Sequence, residues 1–162
     1  EPTTNAIDDT TIFVGTHYHD FLNRQADTTA GSATNASGYQ RAFVRPPAGP
    51  LKDIGSLGGN TAEAYDINGS GQVVGASEAS GGGSLDDRAF IWQSDTMQAL
   101  TATWGTPVRA DGINEAGLVV GSATHNTSGT HAFLWKDTNG NGQSDPGEVN
   151  IFGNSGGSRG SS

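Results

Sequence analysis

INGSGQVVG, Ile67 to Gly75, and INEAGLVVG, Ile113 to Gly121, align without a gap and lie 46 residues apart. Turn chemistry fills the middle of each, since Asn and Gly tolerate the positive φ of a tight reversal, and an apolar stretch follows at once. The N-terminal IDDTTIFVG, Ile7 to Gly15, aligns with both. A second block follows each copy: RAFVR from Arg41, RAFIW from Arg88 and HAFLW from His131. A third closes each unit: LKDIGSLGG ending at Gly59, MQALTATWG ending at Gly105, VNIFGNSGG ending at Gly157. Such self-similarity means supersecondary units that bury their apolar faces against one another. The chain therefore divides into three repeats, about 1–59, 60–105 and 106–157, with a Gly/Ser tail at 158–162, all within one β-repeat domain, 1–162. Length differences fall in loops, between Gly15 and Arg41 in the first repeat and between Trp135 and Val149 in the third.

The second repeat predicts four short strands, AEAYDI, QVVGAS, RAFIW and MQAL. Four antiparallel strands in about 45 residues make one propeller blade. The expectation is an all-β fold of three four-stranded propeller-like blades in tandem, with a β-trefoil as the alternative. Val73 and Val74, like Val119 and Val120, point to opposite sheet faces, while Gly75 and Gly121 admit a close backbone. Phe43, Phe90 and Phe133 are expected between blades, with Trp92 and Trp135 beside them on the other face. Arg41 and Arg88 are expected to tie blade to blade through loop carbonyls or an Asp such as Asp66.

Composition suits short strands and tight turns, with 25 Gly and 15% charged residues. A chain of 162 residues buries about two thirds of its unfolded surface, enough for a core without disulfides, and Cys is absent. The net charge is −9 and the eight Lys and Arg are scattered singly, which argues against a nucleic-acid partner because phosphate neutralisation needs clustered cations. Acidity suits divalent cations and a secreted protein. No apolar run approaches the roughly 20 residues of a membrane span, so a soluble protein is expected. The first residue, Glu1, reads as a signal-peptide cleavage product or a trimmed terminus.

The combination DIN-x-x-G-x-VVG, RAFLW and D-[IL]-G-x-LGG resembles the HAF extracellular repeat family over nearly the whole chain. The match is strongest in the second repeat and partial in the first, where Asp8 and Thr11 replace the motif Asn and Gly. The resemblance implies a secreted protein with propeller-like blades and no catalytic residues.

DTNGNGQSDPGE, Asp137 to Glu148, fills every slot of a twelve-residue calcium loop. Asp137, Asn139, Asn141, Asp145 and Glu148 would supply side-chain oxygens to Ca2+, Gln143 its backbone carbonyl, and Gly142 the sharp turn. The flanks HAFLW and VNIFG read as strands, so the loop would be a hairpin tip rather than a helix-flanked hand.

Other candidates read as structure. GNSGG, Gly153 to Gly157, satisfies G-x-S-x-G, yet it occupies the place of GSLGG from Gly55, where Leu57 stands for Ser155, and no His and Asp supply a base and its orienter. His17 and His19 could join His125 or His131 around a transition metal, but His131 replaces the repeat Arg. Asp8/Asp9 and Asp86/Asp87 fall in predicted turns. Asn35, Asn68 and Asn126 head N-glycosylation triplets; Asn68 belongs to the repeat turn, leaving Asn35 and Asn126. The expectation is a secreted, non-enzymatic, calcium-binding β-repeat protein. Its role is structural or adhesive, assembling head to tail with itself into an extracellular filament or other assembly. A lectin-like module that binds glycans through Tyr18, Tyr39 and Trp104 is the alternative, and a hydrolase stands third.

Overall fold

The computed structural model describes residues 28–46, 48–80, 87–103, 105–125, 129–145 and 147–152. Within them the fold is all-β and forms three antiparallel sheets. The first holds β1 (Thr29–Thr34), β2 (Gln40–Arg45) and β3 (Lys52–Asp53). The second holds β4 (Gly58–Ile67), β5 (Val73–Ala79), β6 (Asp87–Gln93) and β7 (Thr96–Ala99). The third holds β8 (Thr106–Ile113), β9 (Val119–His125), β10 (Gly129–Trp135) and β11 (Val149–Ile151). Each is a meander of consecutive strands, and no strand of one sheet pairs with a strand of another among the described residues.

Register carries the repeat into three dimensions. Phe90 lies between Gly75 and Ala99, Phe133 between Gly121 and Ile151, and Phe43 between Gly31 and Asp53. The second and third sequence blocks thus superpose as aligned, but the first does not. The place of Gly75 and Gly121 belongs to Gly31 rather than Gly15, and the stretch 7–15 lies outside the described residues. Thr29 and Ala30 replace the Val pair there, which hides the unit from an apolar pattern; the tetrad GSAT at 31–34 and again at 121–124 marks it.

The repeat glycine has a steric cause. β4 bulges between Ala64 and Asp66 and β8 between Ala110 and Gly112, which drives the Glu63 and Arg109 carbonyls into the space a Cβ would need on Gly75 and Gly121. On Gly31 the nearest atom is instead Phe43 Cζ, 3.0 Å from such a Cβ.

The sheets stack in chain order: β4 packs on β1 and β2, and β8 on β5 and β6. Two cores result. Ala42, Val44 and Ile54 of the first unit meet Ala62, Ala64, Val73 and Phe90 of the second. Val74, Ala89, Ile91 and Leu100 of the second meet Ala110, Val119, Phe133 and Trp135 of the third. Period-two alternation lets the middle sheet serve both, Val73 and Phe90 facing back, Val74 and Ile91 forward. The same alternation corrects the tryptophans: Trp92 packs into the core of Phe90, and Trp135 into that of Phe133, because residues two apart on a strand share a face.

Candidate functional site

The loop from Asp137 to Glu148 joins β10 to β11, two strands rather than two helices, as its flanks require. It is organised by its own acids. Asp137 accepts N–H bonds from Gly140 (2.6 Å) on Oδ1 and from Gly142 (2.8 Å) on Oδ2, so the first position fixes the tip. Gly140 and Gly142 have φ of 71° and 72°, the left-handed region where a side chain is strained, and this lets the backbone reverse at the expected sixth position. Asn139 and Asn141 each accept an N–H two residues on, from Asn141 and Gln143.

Positions three, five and nine converge. The Asn139 and Asn141 amides both donate to Asp145 Oδ2, each at 2.7 Å. The two amides thus present donors to Asp145 while their oxygens accept the backbone N–H groups of Asn141 and Gln143, and a cation there would require both side chains to turn. Glu148 stands elsewhere. It is buried, its Oε1 accepting the Thr138 N–H and hydroxyl and its Oε2 accepting the Asp145 N–H, so it clamps the loop's two ends. The Asp145 and Thr138 backbone N–H groups hold its carboxyl below the usual carboxylate range. Among the described residues no three His, Asp or Glu side chains converge as a metal-holding group. A cation at Asp145 would therefore have to draw on the Asn139 and Asn141 side chains and the Gln143 carbonyl, since Glu148 is engaged at the loop's ends.

One property of the loop had no sequence signal. Its tip grips the preceding unit: the Gly142 carbonyl accepts from Gln93 Nε2 and Gln98 Nε2, both at 2.7 Å. Thr101 adds two bonds to Ser144. Gln72 donates to Gln93 Oε1, and Asn68 donates both to Gln72 Oε1 and to the Asn114 carbonyl, so amides link the repeat turns to the loop. Beside this chain a cavity of about 270 Å³ is lined by Gln72, Glu115, Gly117, Trp135 and Asp137. The buried Trp135 indole N–H has no acceptor among the described residues.

Asn35 is not the exposed loop site expected of a glycan acceptor. It is 6% exposed and its Oδ1 accepts the Ser37 and Tyr39 N–H groups, the same turn that Asn68 and Asn114 form. Asn126 lies outside the described residues, as do His17, His19, Tyr18, Trp104 and Ser155. Tyr39 is exposed. His131 pairs with Ala123 and His125 with Gly129, which puts the two residues diagonally on one face of the hairpin. The inner strands carry a charged group: Tyr65 donates to Glu63, and its ring lies 4.1 Å from the Arg109 guanidinium, which pairs with Asp111. Burial first, then the Glu63 bond, raises the Tyr65 hydroxyl well above its ordinary value.

No family model, curated protein or solved structure matches the chain.

Proposed function

We propose that the chain is a secreted, non-enzymatic β-repeat protein of the HAF type, stabilised by calcium in the Asp137–Glu148 loop, whose role is structural or adhesive and whose partner is a second copy of itself. The observation that carries the reading is the outer face of the third sheet. Val120, Ala132, Leu134 and Phe152 occupy the positions of Val74, Ala89, Ile91 and Leu100. In the second sheet those four are at most 1% exposed beneath the third sheet, whereas Val120 is 46% and Phe152 56% exposed. A face built to receive a following unit is thus open to solvent, and large exposed apolar residues of this kind mark interaction surfaces. The sheets read as propeller-like blades rather than trefoil units, since among the described residues each pairs only within itself and the first strands β4 and β8 touch, as strands near a common axis do.

The first repeat of another copy is the occupant proposed, a heterologous contact that yields a ring or an open filament according to its rotation. Sedimentation velocity across a concentration series, in calcium, tests it. Growth of larger species in the parent and its loss in Val120→Lys, with an unchanged β spectrum, is the expected outcome. A parent that stays monomeric at every concentration refutes the assembly.

A further inference from the structure

Arg41 shows what the repeat arginine does when its partner is present. Its Nε donates to Asp53 Oδ2 at 3.1 Å and its NH1 to the Asn60 carbonyl at 3.2 Å, tying the first sheet to the start of β4. Asp53 stands opposite Phe43, two residues beyond Arg41. In the second sheet Arg88 precedes Phe90 by the same step, and the residue opposite Phe90 is Ala99. A methyl group therefore occupies the carboxylate's place. Among the described residues the Arg88 guanidinium makes one hydrogen bond, from NH1 to the Asp87 carbonyl at 3.0 Å.

The missing carboxylate leaves space. Arg88 is half-buried and lines a cleft of about 400 Å³ with Leu57, Ala99, Leu100, Thr106 and Pro107. Thr106 stands 46 residues after Asn60, so the cleft is the counterpart of the filled Arg41–Asp53–Asn60 junction. Its volume lies within the usual range for small-ligand sites, and its lining combines apolar side chains with Thr101, Thr106 and the directional Arg88 cation. A guanidinium presents a planar fork that a carboxylate meets with two parallel bonds, a match no neutral group reproduces.

We propose that this cleft binds a small organic carboxylate, which supplies to Arg88 the group that Asp53 supplies to Arg41. Leu57 and Ala99 would flank the ligand's carbon skeleton and Thr106 would meet a hydroxyl, a pattern suited to a sugar acid.

The test follows the arginine Nε–H resonances of the full chain by NMR during titration with sodium glucuronate, with glucose as the neutral control at matched ionic strength. A saturating shift of the Arg88 signal with glucuronate and none with glucose is expected. Arg88→Gln should weaken binding, read from backbone signals around the cleft, at least tenfold. Ala99→Asp installs the internal partner already tolerated in the first sheet, so it should abolish the glucuronate response while keeping the fold. An Arg88 signal unmoved by glucuronate in the parent overturns the proposal, as does glucuronate binding that survives Ala99→Asp at parental strength.

Discussion

Gln98→Ala cuts one strand of the grip that the second unit holds on the calcium-type loop. The lost bond, Gln98 Nε2 to the Gly142 carbonyl at 2.7 Å, joins two neutral groups, so its net worth is about 0.5–1.5 kcal/mol. At about 2–4 °C per kcal/mol for a domain of this size, the melting temperature should fall about 1–6 °C. Asp137→Ala acts on the same residue from the other side, because Asp137 Oδ2 accepts the Gly142 N–H. Its bonds to Gly140 and Gly142 are charge-assisted but solvent-accessible, which puts their loss at about 2–3 kcal/mol. Once Asp137 is gone, Gly142 is no longer held where the glutamines reach it. The double variant should therefore fall short of the summed single effects by about 0.5–1.5 kcal/mol, measured by urea denaturation. Calcium at a hundredfold excess over its Kd should raise parental stability by about 2.7 kcal/mol, and Asp137→Ala should remove that increment. Additivity of the two substitutions within about 0.3 kcal/mol refutes the argument that the loop is a clamp between units, and equal melting in calcium and in chelator refutes the ion.

The repeat glycines should separate by cause. Gly75→Ala and Gly121→Ala force a methyl into a backbone carbonyl and should cost about 1–3 kcal/mol or more, while Gly31→Ala meets only the Phe43 ring and should cost less, as read from urea midpoints. Asp66→Ala should cost about 1–3 kcal/mol, because Asp66 Oδ2 accepts the Ile113 N–H at 2.8 Å and that donor is left between the second and third sheets. Glu148 sets an acid limit. Its folded carboxyl lies below the ordinary value near 4.3, so the stability it confers is complete above that pH and fades as pH falls toward the folded value. The melting difference between parent and Glu148→Gln should accordingly be largest near neutrality and shrink in acid.

Period-two alternation and the spacing of INGSGQVVG, RAFIW and MQAL were enough to place four strands, their order and the two-sided middle sheet. Those features follow from local sterics and apolar burial, which sequence records directly. The first unit was misregistered because burial at Gly31, Ser32 and Ala33 is achieved with small residues, and an apolar template passes over them. Asn35 was misread for a similar reason: a side chain that accepts two backbone N–H groups looks, in sequence, like any Asn in a Ser-rich loop. The turn of the Asp137–Glu148 loop was legible as a spacing, since Asp137 and Gly142 answer to one turn geometry. The grip on Gln93 and Gln98 was not, because it joins residues 49 and 44 positions away through a carbonyl that any amino acid would supply. The Arg88 cleft needed the strand register, which alone shows Ala99 standing where Asp53 stands.

The two junctions between units use different polar ties, and this bears on what the third sheet can hold. Between the first and second sheets the buried Ala64 N–H donates to Ser32 Oγ at 3.2 Å. Between the second and third, Ala76 stands in the position of Ser32 and offers no acceptor, and Asp66 instead takes the Ile113 N–H. The third sheet reverts to the first pattern. Ser122 lies opposite Ala132 as Ser32 lies opposite Ala42, while Gly112 stands where Asp66 does, pairing with Val120 as Asp66 pairs with Val74. A unit seated on this sheet would then be held by Val120, Leu134 and Phe152 and by one hydroxyl, with no carboxylate of the third sheet in the contact. Self-association should therefore change little between low and high salt, since an apolar contact is not screened. Ser122→Val should weaken it about 2- to 12-fold, the loss of one net hydrogen bond of about 0.5–1.5 kcal/mol. Sedimentation equilibrium over a salt series measures both, and association that disappears as salt is raised would show that charge, rather than this apolar face, holds the copies together.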